Sequence, residues 1–277
     1  MKLEKQLFNT LFLLTLAVVF ALASCKSGNT GTDQDTTSID TVSKTELSQE
    51  VKDVVYPLPT PFEVTNMLNQ IGAKYKSSVL NPTKNAEKYF TESSKAVNLG
   101  VYGADLAYAA TYDQKQDMKL YSGALKKLVD ELGINIDYNK LLSDENKEKF
   151  NNKDTLVNYV TNTFFDAYQY LNKKSNPDLA IMMASGTWVE LMYIATNISE
   201  ATYNSTGIVK LITDQKGSYI KLMEVLAERN SNSEVKNLET KLLVLKPVFD
   251  KIDAGLSESD YQVILKTIQD VRKSFVS

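Results

Sequence analysis

The chain has 277 residues, a formal net charge of −3, 43% hydrophobic residues and 23% charged residues, the profile of a globular body of one large domain or two small ones. It holds no histidine and a single cysteine, Cys25, which excludes Cys/His zinc sites, Ser-His-Asp and Cys-His catalysis, haem ligation by histidine and a disulfide framework. The slight acidity gives no global positive field, so nucleic acid is not an expected partner.

In chain order, Lys2 and Lys5 precede an apolar run from Leu7 to Leu22, interrupted only by Asn9, Thr10 and Thr15. The run is shorter than the ~20 residues that comfortably span a bilayer, and a charged start followed by a short apolar core is the layout of an export signal. It ends in Leu22-Ala23-Ser24-Cys25. That tetrapeptide resembles the lipobox of bacterial lipoproteins, in which a leucine and two small residues admit the scissile backbone to a peptidase and the cysteine takes the lipid. The resemblance implies a signal peptide over 1–24, a diacylglyceryl group on the Cys25 thiol and further acylation of its new amine. Two or three such chains anchor stably where one does not. The rival readings are an ordinary secretory signal with a chance cysteine and an uncleaved anchor. Lys26, where an aspartate would imply inner-membrane retention, points to the outer membrane. Lysine far outnumbers arginine (Arg229 and Arg272 are the only two), and Asn and Tyr are abundant. This usage is similar to that of helical lipoproteins of Bacteroidota, a likeness that implies no activity. Periplasmic and surface exposure both stay open. Losing residues 1–24 removes Lys2, Lys5 and Glu4 and leaves the mature chain near −4, so lipid rather than charge supplies the membrane affinity.

Residues 26–50 are rich in Ser, Thr, Gly, Asp and Gln, with Ile39, Val42 and Leu47 as the only large apolar side chains. Such a stretch buries too little surface to offset its ordering entropy. As a flexible leash it reaches roughly 25–30 Å. Pro57, Pro59 and Pro61 enforce an extended path, which makes 25–60 the lipidated cysteine with its tether and 61–277 the globular domain. Thr60 and Pro61 suit the N-cap and first turn of a helix.

From Phe62 onward the apolar spacing is helical and no segment alternates with a period of two, so the expected fold is all-α, a bundle of roughly eight to ten helices. Expected helices cover Phe62 to about Val79, Thr83–Ser94, Ala96–Tyr112 and Gln114–Leu132 (with Leu120, Leu125, Leu128 and Val129 inward), the last stopped by Gly133. Further helices are expected over Ser143–Phe150, over Thr155–Leu171 with Asp154 as cap, and over Asp178–Ile198 after Asn176-Pro177. The rest fall over Ala201–Ala227, Ser233–Phe249 and Ser257–Phe275 with Ser257 and Asp260 as capping pair. A short internal repeat, Asp105-Leu-Ala-Tyr108-Ala-Ala-Thr111 against Glu190-Leu-Met-Tyr193-Ile-Ala-Thr196, suits a bundle of two packed helical units.

Asp105, Asp166 and Glu190 sit in apolar helical surroundings, where an unpaired carboxylate costs several kcal/mol or changes its ionisation. The helical register puts Asp105, Tyr108 and Tyr112 on one face, and Glu190, Tyr193 and Asn197 on another. These six are the candidate ligand-binding residues: two acid/tyrosine clusters that could line a cavity for a cation, a sugar or a peptide amine. The competing reading makes them buried, hydrogen-bonded acids that fix helix register. Di-iron forms need Glu-x-x-His, impossible without histidine, while calcium stays open although no EF-hand loop is present; no metal ligand, catalytic residue or cofactor is assigned. Trp188 and the 15 tyrosines could form sugar platforms, but aromatics at helical spacing more often fill a core; the same holds for Met182, Met183, Met192 and Met223. Gly100 and Gly103 read as close helix contacts. The expected role is envelope-anchored binding or scaffolding, with the membrane and an envelope protein or glycan as partners. The alternative is a carboxylate-based hydrolase or a glycan-binding accessory protein.

Overall fold

The computed structural model describes residues 60–136, 153–174, 176–198 and 202–277. All of these belong to one unit, 47–277, separate from 1–46. Cys25, the tether and the helix expected over Ser143–Phe150 lie outside the described residues. The described part is an all-α bundle without a strand.

Thr60 caps α1 (Pro61–Gln70) through a reciprocal capping box with Glu63, Thr60 Oγ1 accepting from Glu63 N at 3.2 Å and Thr60 N donating to Glu63 Oε2 at 2.8 Å. The helix stops eight or nine residues earlier than its apolar pattern suggested, because Gly72 adopts φ +78°, a left-handed conformation that ends the turn. Ile71 and Tyr75 therefore belong to the exit loop, and Thr83–Lys88 forms a separate 3-10 segment. A second capping box, Thr91 with Ser94, opens α2 (Glu92–Thr111). In α3 (Lys115–Glu131), Leu125, Leu128 and Val129 face the core, but Leu120 is 49% exposed, since it lies outside the narrow stripe that the other three define. Asp154 lies inside α4 (Lys153–Lys174) rather than capping it.

Asn176 caps α5 (Pro177–Asn197), its Oδ1 accepting from Asp178 N at 3.1 Å. By length and composition α5 could cross a membrane, yet 94% of its most apolar window is buried inside the bundle. The long helices expected next are broken: α6 (Thr206–Asp214) and α7 (Lys216–Glu228) meet at Gln215, and α8 (Ser233–Leu242) and α9 (Lys246–Lys251) flank the 3-10 turn Leu243–Leu245. Pro247 explains the second break, because its ring cannot enter a continuing helix. Ser257 caps the terminal α10 (Glu258–Val276), accepting from Asp260 N.

The two repeat blocks occupy α2 and α5, and these two helices pack against each other more extensively than any other pair described. They touch at a close crossing, Val97 against Gly186 and Gly100 against Met183 and Thr187, with Thr187 Oγ1 donating to Gly100 O at 3.1 Å. Gly100 and Gly186 bring the two backbones into contact. Gly103 does not take part, its nearest neighbour being the Phe164 ring, 3.8 Å from where a Cβ would stand. α10 runs antiparallel along α5, with Tyr261 beside Thr196 and Arg272 beside Glu190.

Candidate functional site

Where α2, α5 and α10 converge, three ionisable groups meet in the core. Asp105 and Glu190 are both 0% exposed. Arg272 grips Glu190 with two parallel bonds, Nε to Oε2 at 2.7 Å and Nη2 to Oε1 at 2.8 Å, the fork geometry that favours arginine over lysine. Nη2 also donates to Val79 O at 3.0 Å, and the guanidinium carbon lies 4.0 Å from the centre of the Tyr193 ring, a cation–π contact. Burial alone would lower the Arg272 pKa, but the charge and bonds of Glu190 hold it above its ordinary value.

Asp105 has a different fate. Its Oδ2 accepts from Asn81 N at 3.1 Å, while Oδ1 has no partner as an ionised oxygen. It faces Glu190, within hydrogen-bonding reach. Burial, then the charge of Glu190, pushes the Asp105 carboxyl well above the usual carboxylate range, Arg272 only partly offsetting this. A proton on Oδ1 answers both facts: it removes a buried charge and donates to Glu190. The cluster is then one carboxylic acid, one carboxylate and one guanidinium, neutral as a whole.

The linkage has a definite sign. Unfolded, Asp105 releases its proton near pH ~4; folded, it keeps the proton to higher pH. Between those values the native state binds more protons, so stability falls as pH rises. Asp105→Asn removes this dependence and supplies an amide donor for Glu190. By chemical denaturation, the variant is expected to match or exceed the parent at about pH 7.5, with the advantage fading toward about pH 4. A variant weakened at neutral pH would mean that ionised Asp105 is what the fold needs.

The tyrosines do not serve the acids. Tyr108 Oη accepts from Lys76 N at 3.0 Å and Tyr112 Oη donates to Ala73 O at 2.7 Å. Each ring carries its hydroxyl past the short Asp105 side chain and onto the loop after α1. Tyr75 stacks on Tyr108 at 4.9 Å between ring centres and donates to Asp117 Oδ2 at 2.6 Å. Tyr193 lends its ring rather than its hydroxyl. Asn197 accepts from Gln269 Nε2 on α10 at 2.8 Å and donates to Tyr193 O at 2.9 Å. Of the six candidates, Asp105, Glu190 and Tyr193 therefore share one cluster with Arg272. Tyr108, Tyr112 and Asn197 tie neighbouring segments to the bundle.

Other expectations resolve into packing. Asp166 is exposed. Trp188 is 2% exposed beside the stacked rings of Tyr219 and Phe249, and Met182, Met183 and Met192 are core residues. Lys126 and Lys127 lie on a solvated face, paired with Asp130 and Glu131 at i,i+4.

Sequence reasoning missed Arg272, Asn81 and Asn98. Asn81 is fully buried, donating from Nδ2 to Tyr89 Oη and accepting from Asn85 Nδ2. Asn98 Nδ2 reaches Phe275 O at 2.8 Å, satisfying a carbonyl at the end of α10 that has no partner within the helix. For Arg272 a signal existed: it lies beside Val271 on the inward stripe of Ile264, Ile268 and Phe275, where a cation needs a buried anion. Among the described residues no group of three or more Cys, Asp or Glu could hold a metal. The chain matches no protein-family model, no curated protein and no solved structure.

Proposed function

We propose that this protein is a lipid-anchored envelope protein that binds or scaffolds rather than catalyses. The anchor rests on one observation, the Leu22-Ala23-Ser24-Cys25 sequence at the end of a short apolar run, which holds the chain's only cysteine. The non-catalytic reading draws support from the acids themselves. Glu190 spends both oxygens on Arg272, and Asp105 is fully buried, so neither is presented to a substrate as paired acid and base. Expression in a bacterial host with a clickable palmitate analogue tests the anchor. The parent chain is expected to carry label and pellet with membranes, and Cys25→Ala to lose both. Recovery of the unlabelled parent in the soluble fraction, with a free thiol, would overturn it.

A further inference from the structure

Between α8 and α10 the surface opens into a trough of about 610 Å³, walled by Val244, Val263 and Val271 with Lys241 and Lys266 alongside. Val244 and Val263 are 56% and 39% exposed. Further along the same seam a second cleft, about 170 Å³, is more polar, with Ser93, Glu234, Asn237 and Ser274 in its lining beside Leu238 and Phe275. Lys241 lines both. The change of character follows from register. Glu234, Asn237, Lys241 and Val244 recur at i, i+3, i+7 and i+10 along α8 and the turn after it, so one face passes from acid through amide and ammonium to aliphatic. On α10 the apolar part of the seam runs from Val263 to Val271, about 12 Å at 1.5 Å per residue, and Ser274, one turn further on, lines the second cleft.

The charges are unevenly used. Lys266 pairs with Asp270 at 2.8 Å. Lys241 Nζ donates to the neutral Ser274 Oγ at 3.1 Å, and among the described residues no carboxylate pairs with it. Among the described residues Glu234 accepts only a serine hydroxyl, from Ser93. A cation and an anion with neutral partners thus lie two helical turns apart, next to an apolar trough.

We propose that this seam binds a single-chain zwitterionic phospholipid, of the lysophosphatidylethanolamine class. The acyl chain lies along Val244, Val263 and Val271, the phosphate meets Lys241, and the ammonium meets Glu234. A free fatty acid would leave Glu234 unanswered, and an apolar helix would have no use for the polar cleft. The inference rests on the binding role proposed above and gives it a ligand class, but it does not require lipid on Cys25. The test uses the full chain carrying Cys25→Ala, so that no acyl group of its own enters the seam, titrated calorimetrically with a short-chain lysophosphatidylethanolamine below its micelle concentration. One saturable site is expected. Val244→Glu with Val263→Glu, both exposed positions, should weaken it at least about tenfold, since a carboxylate in the trough loses its water. Lys241→Gln should weaken the phospholipid while leaving binding of a monoacylglycerol unchanged. Absence of saturation, indifference to these variants, or a concentration-dependent dimer dispersed by Val263→Glu overturns the proposal, the last by giving the seam to a second copy. Palmitate labelling is scored separately: label without seam binding sinks only this inference, and seam binding without label sinks only the anchor.

Discussion

Arg272→Ala is expected to destabilise the bundle by about 3–5 kcal/mol in urea denaturation, because it leaves Glu190 ionised and buried without a counter-charge. In thermal unfolding each kcal/mol corresponds to roughly 2–4 °C for a body of this size. The loss reports the cost of an uncompensated charge rather than the worth of the ion pair. A double variant separates the two. Glu190→Gln with Arg272→Met removes both charges, keeps an amide beside Asp105 and fills the space of the guanidinium stem. It should recover more than half of the stability that Arg272→Ala loses, with a coupling between the two sites well above the scatter of independent mutations. An Arg272→Ala protein within about 1 kcal/mol of the parent would contradict the burial and pairing of this cluster.

The second large effect is expected from adding one carbon to the central helix pair. A Cβ at Gly100 would stand 1.9 Å from Met183 O, and one at Gly186 would stand 2.0 Å from Val97 O. Both neighbours are backbone, so neither can rotate away, and α2 must shift against α5. Gly100→Ala or Gly186→Ala should each cost at least about 1–3 kcal/mol, the usual penalty of overpacking. Gly123→Ala is the control. Its Cβ meets nothing within 4 Å in the interior of α3, and alanine there should stabilise by up to about 1 kcal/mol. Denaturation midpoints of the three variants give the comparison directly; equal effects would mean that α2 and α5 are not in backbone contact.

The fold class was legible because helical periodicity is a local property. Val64 and Leu68, or Leu125, Leu128 and Val129, reveal their shared face without knowledge of what covers it. Boundaries were less legible where a single residue decides them, as Gly72 does for α1 and Pro247 for the break between α8 and α9. The core cluster was half legible. Asp105 and Glu190 announce themselves as acids in apolar helices, but Arg272 lies 82 positions from Glu190, and no spacing rule reaches across that distance. The register argument offered tyrosines as partners because they were near in sequence. The structure instead used the residue that was near in space, and sent Tyr108 and Tyr112 to the loop Ala73–Lys76. Likewise the backbone amide that Asn81 directs at Asp105 depends on the path the chain takes after Gly72 has ended α1.

The position of Arg272, 82 residues after Glu190, has a consequence for biosynthesis. Glu190 leaves the ribosome long before the cation that neutralises it, as do Asn85 and Asn98, which wait for carbonyls of Val276 and Phe275. A nascent chain that has not yet reached α10 cannot close its central helices over Glu190 without meeting the penalty of an unpaired buried charge. Completion of the native core therefore waits for the synthesis of α10, and a chain truncated before Arg272 should stay open to proteases.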